Sequence, residues 1–220
     1  MRGSVGTASK HLLDPVDLAS EVLSGLIMAL AFTGSFSVAS LGSADVRSLL
    51  IGALGCNLAW GIMDGVIYLM DCLADKGRGL IAMRAVRSAA SAAEGQQAVA
   101  DALPASVAAI LEPQELEALR ARLLRLPEPP PIPRLVKRDV LGAVLVCLIV
   151  VCCTFPVVIP FLFMHDGTRA VRVSHGIVIV MMFFTGYAQG HNLQHRPWAM
   201  GLAMVLLGSV LAGLTIALGG

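Results

Sequence analysis

The chain has 220 residues, of which 56% are hydrophobic and only 14% charged, and its mean hydropathy is +0.78. Globular domains carry about 25% charged residues, so an ordinary soluble domain is excluded and an integral membrane protein is indicated. The formal net charge of +1 lacks the strongly basic balance that a nucleic-acid partner requires.

In chain order, the first 18 residues are polar or mixed and lack a signal peptide's apolar core and small-residue cleavage site. The first spanning helix is therefore predicted to serve also as the targeting signal. Five stretches are long and apolar enough to cross a hydrocarbon core of about 30 Å, which takes about 20 helical residues. They run approximately Glu21–Leu41, Leu49–Met70, Val140–Met164, Ser174–Gly190 and Trp198–Leu218. The runs are continuously apolar, without the alternation of a membrane barrel. The predicted fold class is an all-α membrane protein, a bundle of five transmembrane helices with a small cytosolic helical insertion between helices 2 and 3. Its expected divisions are residues 1–71, 72–139 and 140–220.

Arginine and lysine set the expected orientation. With the N-terminus in the cytosol, Arg2, Lys10, the ten basic residues from Lys76 to Arg138 and Arg196 lie inside, 13 of the 16 in the chain. Only Arg47, Arg169 and Arg172 fall outside, which the positive-inside rule favours. The C-terminus then lies outside, as an odd number of spans requires.

The insertion, about Cys72 to Asp139, mixes apolar and basic residues at helical spacing from Gly79 to Ala93. A second helix is predicted from Glu94 to Leu103 and a third after Pro113. Glu112, Glu115 and Glu117 open that third helix and Arg120, Arg122 and Arg125 close it, an order that complements the helix dipole. Pro127, Pro129, Pro130, Pro131 and Pro133 then form a stiff extended linker.

Within the second span, Asp64 recurs with Asn57, Trp60, Tyr68 and Asp71 at separations of three, four or seven residues, placing all five on one helical face. A carboxylate at that depth costs about 2.5–3.5 kcal/mol on insertion scales. It marks either a cation or proton site or a pairing with another helix's hydroxyl or amide. Asp64 and the Asn57 amide supply oxygen ligands suited to hard divalent cations, and Met63 adds a thioether suited to a transition metal. Met63 is equally well read as core filler.

At the start of the first span, Asp14, Asp17 and Glu21 share a face. Asp14 before Pro15 reads as an N-cap and Asp17 as its capping-box partner. Glu21 lies beyond the first turn, and the trio is alternatively a cytosolic cation funnel. Glu112, Glu115 and Glu117 form a second, weaker acidic group that would hold cytosolic metal. Gly61 and Gly65 make a GxxxG step for close helix approach, within the chain or between copies. Pro156 and Pro160 interrupt hydrogen bonding late in the third span. His165 and His175 are expected as solvated residues flanking the outer loop, and His191 and His195 as residues of a cytosolic turn. The five cysteines are read as buried thiols, since no CxxC motif occurs. No nucleophile–base constellation, phosphate-binding glycine loop or HExxH motif is present, so an enzyme is not indicated.

Five spans, a cytosolic N-terminus and a helical insertion after the second span together resemble the vacuolar iron transporter family. Local sequence carries the resemblance further: Ser24-Gly25-Leu26, Gly61-Ile62-Met63-Asp64-Gly65, Phe155-Pro156-Val157-Val158-Ile159-Pro160, Pro197-Trp198-Ala199-Met200-Gly201-Leu202 and Leu218-Gly219-Gly220. The last two look like a divergent, prokaryotic-type branch, which implies a bacterial cytoplasmic membrane. The resemblance implies a homodimer moving ferrous iron or manganese out of the cytosol in exchange for protons, with no tightly bound cofactor. It also implies a first-span aspartate, a second-span methionine and a glutamate-rich cytosolic domain. This chain departs from the pattern with Ser24 in place of that aspartate, and with Arg78, Arg84 and Arg87 where paired glutamates belong. Asp64 is then the deep acid left for transport. A scaffold or stress sensor that keeps the fold, and a transporter of small organic solutes, are the alternatives.

Overall fold

The computed structural model describes residues 15–34, 43–164 and 166–219. Among the described residues every regular element is an α-helix: α1 (Pro15–Gly34), α2 (Ser43–Ser88), α3 (Ala92–Asp101), α4 (Ala105–Ala108), α5 (Pro113–Leu124), α6 (Lys137–Phe163), α7 (Gly167–Asn192) and α8 (Pro197–Gly219). Asp14 and His165 lie outside the described residues, as does residue range 35–42.

Among the described residues, four helical stretches are long and apolar enough to span a membrane: Leu50–Ser88, Lys137–Phe163, Arg169–Asn192 and Pro197–Leu214. The expected first span is met in part by α1, whose apolar stretch is the shorter Leu18–Ala31. The rest of that expected span, from residue 35 on, is not among the described residues.

The chain divides into two compact units, one of residues up to Tyr68 together with Arg138 onward, the other Leu69–Lys137. In the first unit, Leu26, Ala29 and Leu30 of α1, Cys153 and Val157 of α6, Val178 and Met182 of α7, and Ala212 of α8 form the core. Helices α2 and α6 run antiparallel along a glycine seam. A Cβ on Gly61 would come 2.9 Å from the Cys147 carbonyl, and one on Gly65 would come 2.9 Å from that of Ala143. The GxxxG step therefore serves packing within the chain. Tyr68 closes the seam at Gly142, where a Cβ would fall 2.5 Å from the phenolic oxygen. Helix α6 stays helical through Pro156 and Pro160.

In the second unit, α2 continues to Ser88, well past the expected end near Met70. Helix α3 packs on α5, with Gly95 making room for the Arg120 side chain. Ser91 caps α3 by accepting the Glu94 N–H at 3.2 Å, so the helix starts two residues before the expected Glu94. Helix α5 starts at Pro113 as expected, with Glu112 as N-cap.

The proline-rich segment lies against α2 through donated hydrogen bonds. Lys76 Nζ donates to the Arg134 carbonyl (3.2 Å), Arg84 to those of Pro130 (3.2 Å) and Pro131, and Arg87 to those of Leu126 and Pro127 (3.1 Å). Prolines present carbonyls and no N–H, so only donor side chains can tie such a segment down. Arg84 and Arg87, which depart from the family's glutamates, fill that role. They also line an open cleft of about 660 Å³ with Ser88, Glu128 and Pro129–Pro131.

Candidate functional site

Asn57 is 1% exposed and its Nδ2 donates to the Thr154 hydroxyl of α6 at 2.6 Å. That bond fixes the amide and turns Oδ1 away, where it is buried without a hydrogen-bond partner. Two turns further along the same face of α2, the Asp64 Oδ2 atom is buried and unpartnered as well. Asp64 itself is half-buried. Buried acceptors left without a donor are uncommon, because each costs about 1–3 kcal/mol of desolvation. Gly61 between them and Gly65 next to Asp64 bring α6 close, and Thr154 is a partner that sequence reasoning missed. Its signal was present: a lone hydroxyl in an otherwise apolar run.

The motif resembling the family's first span has a separate local reason at each residue. Ser24 Oγ accepts the Trp60 indole N–H. A Cβ on Gly25 would stand 3.0 Å from the Val150 carbonyl, so α1 crosses α6 there. Leu26 is completely buried. Successive spans run in opposite directions, so the Ser24–Trp60 pairing sets Glu21 of α1 level with Met63 and Asp64 of α2. Glu21 is half-exposed. Met63 is 54% exposed, on the outer surface of the chain, whereas Asn57 and Thr154 are buried. Asp17 belongs to α1, but its side chain lies outside what is described. Asp71 is exposed.

In the second unit the acidic trio is occupied. Glu115 Oε2 accepts the Glu112 backbone N–H at 2.9 Å, which is the capping box. Glu117 accepts from Arg120 at 2.8 and 2.7 Å and from Gln96 at 3.0 Å. The paired Arg120 guanidinium, aided by Gln96, holds the Glu117 carboxyl down at about 2. Among the described residues, no three His, Cys, Asp or Glu side chains come together as metal ligands.

At the other end of the bundle, Thr154, Ser174, His175 and Thr33 are all 7% exposed or less. The expectation that His175 is solvated at the interface is corrected: α7 begins at Gly167, and its first turns bring that ring inside. Asp166 caps this start, accepting the Arg169 N–H at 3.3 Å. His191 and His195 are exposed at the α7–α8 turn. The five cysteines are free; Cys153 is buried, Cys152 is exposed and the others are partly buried.

Residues 83–220, more than half the chain, match the model of the VIT family. The chain belongs to the VIT family. No curated protein matches it. The VIT match takes in the second unit's α3 to α5 and the spans α6 to α8. Asp17, Glu21, Asn57, Met63 and Asp64 all precede it, so the match is silent on them. VIT membership gives the coarse reading of the chain as a membrane transporter of metal ions rather than an enzyme.

Proposed function

We propose that this VIT-family chain carries a divalent transition metal, iron(II) or manganese(II), out of the cytosol in exchange for protons. It would do so as a homodimer in a bacterial cytoplasmic membrane, with its N-terminus inside. The observation that carries the reading is the pair of unpartnered buried oxygens, Asn57 Oδ1 and Asp64 Oδ2, on one face of α2. A passing cation supplies what each atom lacks, and because the two lie two turns apart, about 10 Å along the helix, it meets them in succession rather than together.

Glu21, level with Asp64, is the capture group on the cytosolic side. Met63 faces outward in the protomer, so it meets the cation only where a second copy covers that face. Glu112, Glu115 and Glu117 serve the fold of the second unit and lend no obvious store for metal. That last point favours the second reading, a scaffold or sensor that keeps the family fold without flux.

Reconstitution decides between them. The full chain in proteoliposomes under a pH gradient is expected to load Mn²⁺ or Fe²⁺, and Asp64→Asn to lower the rate by about tenfold or more, as an ionisable pathway group should. Equal flux in wild type and Asp64→Asn removes Asp64 from the path. No flux in the wild type leaves the scaffold reading.

A further inference from the structure

We propose that His175 is a proton-holding residue of the transport path, at the end of the bundle opposite Asp64. This rests on the transport reading above. The ring is 7% exposed in α7, and its Nε2 lies 3.4 Å from Thr33 Oγ1 of α1. The Thr33 hydroxyl proton is already committed, at 2.8 Å to the Ala29 carbonyl with Leu30 O as the alternative at 3.2 Å. Thr33 therefore offers the ring only a lone pair, so in the neutral ring Nε2 carries the hydrogen. Nδ1 then holds the basic lone pair. Proton uptake forms an Nδ1–H bond and an imidazolium; release to the opposite side restores the neutral ring.

The surroundings connect this site to α2. Ser174, the preceding residue, donates to the Val157 carbonyl of α6 at 2.8 Å. Val157 lies one turn from Thr154, which accepts from Asn57. Thr33, His175, Ser174, Thr154 and Asn57 thus form a buried polar series through four helices, leading toward Asp64. The rest of that level is apolar, with Leu30, Val157 and Val178 completely buried. Packing alone would favour an apolar side chain there, since burying an imidazole costs desolvation.

Few other ionisable groups face the ring. Helix α8 has none, and those of α1, Asp17 and Glu21, lie at its far end. On α6, Cys153 is buried, and Lys137, Arg138 and Asp139 sit at the distant start. Arg169 and Arg172 of α7 and Arg47 of α2 are exposed. The side chain of Asp45 is not among those described. Imidazole is the side chain whose ordinary titration spans the neutral range.

The test follows Mn²⁺ entry and lumenal pH together, in proteoliposomes of the full chain. His175→Gln keeps a donor for Thr33 but cannot titrate. It is expected to keep metal flux within about threefold while proton counter-movement falls about tenfold and the pH profile flattens, as for loss of an intramembrane proton carrier. Unchanged proton coupling in His175→Gln overturns the proposal and leaves the transport reading intact. No metal flux in the wild type overturns both. If His175→Gln does not fold, ¹⁵N NMR decides on a protein with His11, His165, His191 and His195 replaced by Gln. The remaining ring is expected to pass between neutral and protonated forms as pH is lowered over the folded range, and a ring that stays neutral throughout overturns the proposal.

Discussion

The two units treat their acidic and amide oxygens in opposite ways, although one donor of the second unit, Arg87 Nε, is buried without a partner too. In the second unit nearly every acid singled out from the sequence is spoken for: Glu115 in a capping box, Glu117 in a two-pronged pair with Arg120. In the membrane bundle, where an unmet polar atom is most costly, two acceptors on α2 stand unpartnered. Density of acidic residues therefore leads to groups the fold already satisfies, whereas unmet hydrogen-bonding capacity leads to the two oxygens on which the transport proposal rests.

This contrast can be broken or sharpened by measurement. The largest effect is expected at the seam. Gly65→Leu drives a side chain into the Ala143 backbone, and overpacking of this kind costs about 1–3 kcal/mol, read as a lower melting temperature in detergent. The matching change in the second unit should go the other way. Gly79 has open space around its Cβ position, so Gly79→Ala is expected to stabilise α2 by about 0.5–1 kcal/mol through helix propensity. A loss at Gly79 would mean that part of α2 is held by contacts rather than by its own helicity.

Next comes the buried amide. Thr154→Val removes the acceptor of Asn57 Nδ2, and interhelical hydrogen bonds in membranes average about 0.6 kcal/mol. A small fall in melting temperature should accompany a larger fall in metal flux, because the amide is no longer held in place. Flux that tracks stability alone would make Asn57 purely structural.

The smallest effect belongs to Glu117. Its carboxyl is held at about 2 in the folded unit, against an ordinary value of 4.5. The pairing with Arg120 and Gln96 therefore contributes fully above about pH 4.5 and is lost as pH falls toward 2. Thermal melts of wild type and Glu117→Gln should differ at pH 6 and converge through that acid window. Equal melts at pH 6 would show that the pair does not support α5.

Much of the fold was legible because caps and apolar runs are local. Pro113 after Glu112 announced α5, and the runs of α6 and α8 announced spans. The continuation of α2 to Ser88 was legible only in pieces, since the apolar run ends near Met70 and the helical spacing from Gly79 was assigned to the insertion rather than to the same helix. What supports it is distant in sequence, the carbonyls of the proline-rich segment. His175 escaped for a related reason: polar residues from Thr168 to Arg172 masked the first turns of α7, so the ring was placed outside. Asp64 and Asn57 stood out as polar residues in an apolar run, whereas their unmet oxygens appear only when α6 is packed beside them.

The proline-rich segment has an electrostatic consequence. Arg84 and Arg87 donate to carbonyls of that segment, and a carbonyl carries no charge with which to cancel theirs. Two guanidinium charges thus meet carbonyl dipoles along one stretch of α2. A divalent ion near that face meets local repulsion, screened over about 8–10 Å at physiological ionic strength. Where the family resemblance implies glutamates, this stretch presents two guanidiniums, which favour anions over cations beside them.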